Sequence, residues 1–260
     1  MVPVALTVAG SDPSGGAGIQ ADLKTFHQHQ VYGAAVIALL TVQNTLGIQR
    51  VELLQADLVA AQLRAVLSDI PVAAIKTGAL GGADVVRAVA DECARAEIRP
   101  IVDPVRASKN GSALLQDDTR AVLLSSLLPQ AALVTPNLDE LAWLTRRRIE
   151  SELEIRRAAS ELLKCGVGAV LVKGGHRADA PVDLLLHGQE IFVIEGSRVP
   201  TRHTHGLGCT LSAAICANVA LGCELLVACR AAKRWLERAL STAESPGRGQ
   251  GAVNHLAQLS

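Results

Sequence analysis

Gly206 and Gly208 stand one residue apart in the stretch Thr201 to Ala220, TRHTHGLGCTLSAAICANVA, where a glycine-rich turn runs into a stretch of small apolar residues. Glycine reaches backbone angles closed to other side chains. With a helix expected from about Thr210, several backbone N–H groups converge at the positive end of a helix dipole, which is a site for an anion and for phosphate first. Cys209 falls at the helix start, where a thiol pKa is expected to drop. The same residues would equally serve a tight turn whose small side chains let a helix pack closely. His203, His205 and Cys209 are zinc-ligand types, but no fourth ligand follows at a familiar spacing and a metal cage is not expected.

Other residues with chemical use fall at the ends of expected strands. A first strand, Pro3 to Ala9, gives way to Gly10-Ser11-Asp12-Pro13-Ser14-Gly15-Gly16-Ala17-Gly18 and then a helix through about His29. Gly16, Gly18 and Ala21 fit G-x-G-x-x-A, the dinucleotide pattern, yet a polar insert separates them from the strand and no acid follows near the second strand's end, where a ribose ligand belongs. That second strand, about Ala34 to Val42, breaks into Gln43-Asn44-Thr45. The Gln43 amide both donates and accepts, so it can pair with a ring nitrogen and an adjacent amino group of a heterocycle, or simply form a turn. Asp103 ends the strand Ile98 to Asp103, ahead of a loop whose Ser108, Lys109, Asn110 and Gly111 read as mobile. Asn137 and Glu140, three apart at a helix start after the strand Ala132 to Thr135, share one face; they suit either a helix cap or a carboxylate holding a water of magnesium. Lys173 ends the strand Ala169 to Lys173, before Gly174-Gly175-His176, and a charge there needs an anionic partner or solvent.

Strand ends of one parallel sheet lie along one rim, so Asp103, Asn137, Glu140 and Lys173 are expected to meet the Gly206 to Cys209 turn. Together they make a phosphoryl-transfer kit: a lysine for nucleotide phosphate, acids for magnesium, and a helix start to neutralise transferred charge. There is no G-x-x-x-x-G-K-S/T, which excludes a P-loop.

The elements that must position these residues follow from composition and periodicity. At 260 residues, with 49% hydrophobic content but only two Trp, two Phe and one Tyr, the core must be built from Ala, Val, Leu and Ile, as in a buried parallel sheet flanked by helices. Strand and helix alternate through helices at about Ala56 to Leu67, Gly82 to Ala96 and Asp117 to Leu127, with a strand Val72 to Lys76 between the first two. An amphipathic helix is expected over Arg146 to Leu163, an edge hairpin over Val182 to Leu186 and Glu190 to Glu195, and a last helix over about Glu224 to Thr242. No linker or repeat divides the chain, so residues 1–260 read as one α/β domain. Twenty-five basic residues balance twenty-five acidic ones, which gives no overall field for nucleic acid or an anionic membrane. Leu211 to Cys223 is too short to span a bilayer, the N-terminus lacks a signal-peptide pattern, and the six cysteines form no C-x-x-C pair, so a cytoplasmic protein with reduced thiols is expected.

The motifs AGSDPSGGAGIQADLKT, TVQNTLG, KTGALG, DPV, TPNLDEL, LVKGGH and THGLGCTLSAAI, in this order across nearly the whole chain, resemble the hydroxymethylpyrimidine and phosphomethylpyrimidine kinases of thiamine biosynthesis, in the ribokinase-like superfamily. The resemblance implies a three-layer α/β/α sandwich with a mostly parallel sheet, usually a homodimer. It implies use of ATP and Mg2+ to phosphorylate 4-amino-5-hydroxymethyl-2-methylpyrimidine and then its monophosphate. By motif, Gln43 would read the aminopyrimidine edge, with Gly10, Asp22, Ala79 and Val105 lining the pocket. Lys173, Asp103, Asn137 and Glu140 would serve ATP and magnesium, the metal being held through Asp103, Glu140 and phosphates and not in a tight protein cage. Gly206, Gly208 and Cys209 would form the transfer turn, with Cys209 in the place of the aspartate base of related sugar kinases. The chain departs from the family pattern at Leu207, where threonine is usual, at Ala79, where methionine is usual, and at Arg106, which adds a charge. These departures keep open a pyridoxine or pyridoxal kinase, a kinase of altered pyrimidine specificity, and a non-catalytic pyrimidine- or nucleotide-binding relative.

Overall fold

The protein is described from a computed structural model that covers residues 2–107, 114–116, 118–174 and 181–259. The first unit runs from β1 (Val4–Ser11) through α1 (Gly18–Gln28) to β2 (Tyr32–Asn44). Next come β3 (Gly47–Leu53), α2 (Ala56–Leu67), β4 (Ala74–Thr77), α3 (Ala83–Arg95), β5 (Ile101–Val102) and a short α4 (Thr119–Val122). Then follow β6 (Leu133–Val134), α5 (Leu138–Thr145), α6 (Glu152–Lys164), β7 (Ala169–Val172), β8 (Asp183–His187), β9 (Glu190–Ile194), α7 (Leu207–Ala220) and α8 (Leu225–Ser241).

Among the described residues nine strands form one sheet in the order β3-β2-β1-β4-β5-β6-β7-β8-β9. Pairing between them is parallel from β2 across to β7 and antiparallel at β2–β3, β7–β8 and β8–β9. Because side chains alternate across a strand, each central strand feeds two cores. Leu6, Val8, Ile75, Val102, Val134 and Val170 pack against α2, α3, α5 and α6. Ala5, Ala74, Ile101, Leu133, Ala169 and Leu171 pack against α1, α7 and α8. The small residues on that second face let α7 lie close: Ala213, Ala214, Cys216 and Ala217 are fully buried. The result is the expected α/β/α sandwich.

Several expected elements differ. The break at Gln43 to Thr45 is the tip of a hairpin, and β3, which pairs Leu53 with Leu39 and Ile48 with Gln43, was not expected at all. Its outward residues Arg50 and Glu52 are charged and the strand is half exposed, so it carries little apolar signal. The helix expected from Arg146 begins instead after Ser151, which caps α6 with Glu154 in a reciprocal pair; Arg146 is the left-handed residue ending α5, at φ 55°. Helix α7 starts three residues earlier than expected, at Leu207. Ser108 to Gly111, and Gly175 with His176, lie outside the described residues. No helix among the described residues is long and apolar enough to cross a membrane.

The glycine-rich segment 247–254 lies as a strap across the β2–β3 tip and the turn before α7. Gln250 N donates to Thr45 O at 2.9 Å and Gly249 N to Thr45 Oγ1 at 3.1 Å. A Cβ on Gly249 would stand 1.9 Å from Thr45 O, so only glycine lets the two backbones approach. The Gln250 side chain reaches Arg202 O and Thr204 Oγ1, while His205 N donates to Gly251 O.

Candidate active site

The C-terminal ends of β1, β2, β5, β6 and β7 open onto a cleft of about 1030 Å³, with the start of α7 forming part of its wall. This is where open α/β sheets place ligands. Gly10, Gln43, Ala79, Val105, Asp103, Asn137, Glu140, Lys173, Gly206, Gly208 and Cys209 all line it. Asp22 does not. It is fully buried below the wall, where its Oδ2 accepts from Lys76 Nζ at 2.7 Å and from Thr7 Oγ1 at 2.6 Å while Oδ1 has no partner. The position assigned to Asp22 as a pocket residue is therefore corrected: as Asp22 lies on the sheet-facing side of α1, it is a buried support.

The α7 start has the geometry of an anion site. Gly206 precedes the helix at φ 72°, and no side chain caps the first turn, whose N–H groups have no intrahelical acceptor. A Cβ at Gly206 would stand 1.9 Å from Gly16 O, so the turn is pressed against the loop after β1 and requires glycine there. At Gly208 a Cβ would come within 3.3 Å of Lys173 Nζ and 3.5 Å of Asp103 Oδ2. The first turn of α7 thus lies directly over a charged group.

That group is a shared cation. Lys173 Nζ donates to Asp103 Oδ1 at 2.8 Å and lies 3.7 Å from Glu140 Oε2. Burial alone would lower the Lys173 pKa, but the carboxylates of Asp103 and Glu140 outweigh it and hold the lysine above its usual range. Asp103 is fixed further by Thr135 Oγ1 at 3.2 Å. Burial raises the Glu140 pKa, with Lys173 opposing. Asn137 and Glu140 form a capping box at the start of α5: Asn137 Oδ1 accepts from Glu140 N and Glu140 Oε2 accepts from Asn137 N, each at 2.8 Å. Of the two sequence alternatives for this pair the helix cap is the one present; it consumes Oε2 and leaves Oε1 outside those contacts. Among the described residues no group of three or more His, Cys, Asp or Glu side chains could hold a metal. Two carboxylates, each already committed through one oxygen, could meet magnesium only through its water shell, since magnesium keeps most of its water and takes phosphate oxygens.

Cys209 overturns one expectation. Burial pushes its thiol up to about 11, with Lys76 opposing and the Asp22 and Asp103 carboxylates adding to the rise. The local rule that a helix start lowers a thiol pKa loses here to desolvation and like charge.

Two residues complete the wall: Asp12, to which the sequence assigned no role, and His205, which it weighed only as a zinc-ligand type. Asp12 Oδ2 accepts from Gly16 N at 3.2 Å, Ala17 N at 2.9 Å and His205 Nε2 at 2.8 Å, and its Oδ1 takes Ser14 N and Oγ. Burial alone would raise the Asp12 pKa, but these hydrogen bonds, His205 foremost, bring it below the usual carboxylate value. The loop donors that a dinucleotide pyrophosphate would need are thus already taken by a carboxylate, which removes the G-x-G-x-x-A reading. His205 Nε2 also lies 3.1 Å from the Gln43 amide, and Thr41 Oγ1 lies 3.2 Å from the amide's other end. The only sequence signal was a histidine immediately before the glycine turn.

The family description phosphomethylpyrimidine kinase matches residues 12–254. A hydroxymethylpyrimidine/phosphomethylpyrimidine kinase of Rhizobium meliloti is 46% identical over 259 residues, covering 98% of this chain and 97% of the relative. Among solved structures, a Bacillus subtilis pyridoxal kinase in complex with ADP superposes at a TM-score of 0.90 with 32% identity, covering 99% of this chain and 98% of the other. A phosphomethylpyrimidine kinase from Clostridium difficile superposes at 0.81 with 37% identity, covering 91% and 98%. With the family description matching residues 12–254 and relatives of this identity over nearly the whole length, the chain belongs to the phosphomethylpyrimidine kinase family and has its ribokinase-like fold.

Proposed function

We propose that the protein uses MgATP to phosphorylate 4-amino-5-hydroxymethyl-2-methylpyrimidine and then its monophosphate to the diphosphate, within thiamine biosynthesis. The observation that carries this reading is one cleft lined both by an amide able to read a heterocycle edge, Gln43, and by an uncapped helix start over Lys173. Lys173 and the N–H groups of the Gly206 to Cys209 turn neutralise charge on the transferred phosphoryl group. Asp103 holds Lys173 in place, and the Asn137 cap sets the angle of Glu140. Glu140 through Oε1, with Asp103, would hold magnesium by way of its waters, and the metal when bound neutralises nucleotide phosphate charge.

Cys209 accepts the hydroxymethyl proton in the first step, in proportion to its small thiolate fraction. The second acceptor is already an anion and needs no base, and a carboxylate in place of the thiol would repel it. Leu207 sits at the first helical position among the apolar residues of the α7 face, so its side chain leaves the backbone donors of the turn in place. The protein acts as a cytoplasmic homodimer in this reading, joined through the outer face of the β2–β3 hairpin, where Leu40 and Val42 are 42% and 52% exposed.

A second reading, pyridoxal phosphorylation, is favoured by Ala79, which leaves room on the cleft wall where the family pattern has methionine, and by the fit to a pyridoxal kinase. Purified protein given MgATP with the pyrimidine alcohol, its monophosphate and pyridoxal in parallel separates the readings by ADP release. Turnover of both pyrimidines is the expected result. Preference for pyridoxal establishes the second reading, and saturable binding without ADP release makes the protein a non-catalytic relative.

A further inference from the structure

The hydrogen atoms around Gln43 can be counted, and the count fixes which way its amide points. Asp12 Oδ2 already accepts from two backbone N–H groups and lies 2.8 Å from His205 Nε2, so that ring nitrogen must carry a proton and donate it. A ring nitrogen that donates to Asp12 has no lone pair for a Gln43 N–H. The amide atom 3.1 Å from His205 Nε2 must then be the oxygen, which shares the same N–H with Asp12. The Gln43 nitrogen consequently faces Thr41 Oγ1 at 3.2 Å. This agrees with the rest of the network: the single Thr41 hydroxyl hydrogen goes to Ser11 O at 3.0 Å, and its oxygen is free to accept from Gln43. With the amide reversed, His205 and Gln43 would present two donors to each other, and Thr41 would need two hydrogens.

We infer that Asp12, His205 and Thr41 lock the Gln43 amide in one orientation, so that the site takes one donor–acceptor order and refuses the reverse; with the acceptor proposed above, the order taken is the 4-aminopyrimidine edge and the one refused the 4-oxopyrimidine edge. The inference rests on the proposal that Gln43 reads the acceptor. An aminopyrimidine offers a ring nitrogen that accepts beside an amino group that donates. The 4-oxo form, with a proton on the neighbouring nitrogen, offers the opposite pair. A glutamine free to rotate about its last bond satisfies both by turning over; a glutamine held by an oxygen-side donor and a nitrogen-side acceptor satisfies only one. His205 and Thr41 are positioning residues in this scheme, acting through the amide they hold. Gly16 makes the arrangement possible, because a Cβ there would lie 2.5 Å from His205 Cδ2.

The test compares KM and kcat for the 4-amino-5-hydroxymethyl pyrimidine and its 4-oxo analogue in the wild type, His205→Phe, His205→Gln and Thr41→Val, with ADP affinity measured by calorimetry in each. The wild type is expected to favour the amino compound by about 100-fold in kcat/KM, the order set by one mismatched buried hydrogen-bond pair. In His205→Phe and in Thr41→Val the ratio is expected to fall about tenfold or more, with ADP affinity retained. His205→Gln, whose side-chain N–H can stand in for the ring N–H, is expected to recover most of it. If His205→Phe and Thr41→Val bind ADP normally and keep the wild-type ratio, the lock is overturned. A variant that loses ADP binding has lost its fold, and its partner variant then decides. If the wild type turns over neither pyrimidine, it is the proposed function that fails, an outcome visible before any variant is compared.

Discussion

Lys173 Nζ lies 2.8 Å from Asp103 Oδ1, so the cation proposed to meet nucleotide phosphate already neutralises an acid that is 1% exposed. Replacing Lys173 by Met removes charge from the transfer site and strands a buried carboxylate. The expected loss is about 3 kcal/mol of stability together with about 100-fold in kcat. Urea unfolding and steady-state kinetics on one preparation check both, and a kcat within tenfold of wild type removes Lys173 from the transfer step.

Cys209 is expected to reveal itself through pH. With its thiol pushed up to about 11, the thiolate fraction rises about tenfold per pH unit through the neutral range. The first phosphorylation should therefore accelerate from pH 6 to pH 9 while the second stays flat, and Cys209→Ala should abolish that slope and slow the first step much more than the second. Equal losses in both steps would falsify the base assignment.

Asp22 and Lys76 form an ion pair with both side chains fully buried beneath Cys209. Removing either partner leaves the other charge uncompensated. Asp22→Leu and Lys76→Met are each expected to cost about 3 to 5 kcal/mol, while Asp22→Leu with Lys76→Met together costs less than the sum of the two. Additive costs in a double-mutant cycle would show that the two charges are not coupled.

His255 Nε2 meets Thr210 Oγ1 at 3.1 Å inside the packing of α7, and burial, with Lys24 adding, lowers its pKa to about 4. A histidine whose folded pKa lies below the unfolded value of about 6.5 favours the folded state in its neutral form. Its contribution is complete above pH 6.5 and is lost as pH falls toward 4, on the order of 3 kcal/mol in all. Burial lowers the His29 pKa as well, so it acts in the same direction. Denaturant midpoints measured between pH 7 and pH 4 should fall with acid, and His255→Gln should flatten the fall. A variant with an unchanged slope would rule out His255 as its source.

Much of this architecture was readable because its signals are local. Alternating apolar strands ending in Asp103, Thr135 and Lys173 announced a parallel sheet with chemistry on one rim, and the glycine pair at Gly206 and Gly208 announced the turn. What was missed depends on distance. Asp12 and His205 meet across 193 residues, and nothing in the spacing of either predicts the other. Asp22 carried a pocket role by motif, yet enclosure by Thr7 and Lys76 is a property of three elements at once. For Cys209 the local rule and the surroundings disagreed in sign, and the surroundings were the stronger. Strand β3 hid behind Arg50 and Glu52, which face outward and dilute its pattern.

The strap from residue 247 joins Thr45 to Gly249 across 204 positions of sequence. Closing so long a loop costs little more free energy than closing one half its length, since the entropy grows only with the logarithm. The consequence is one of timing. A chain emerging from the ribosome carries the Thr45 hairpin tip long before residues 249 and 250 exist to bond it, so the tip stays unclamped until synthesis is nearly complete. By the same connection, a single proteolytic cut between residues 247 and 251 would release that tip without touching the Lys173–Asp103 pair.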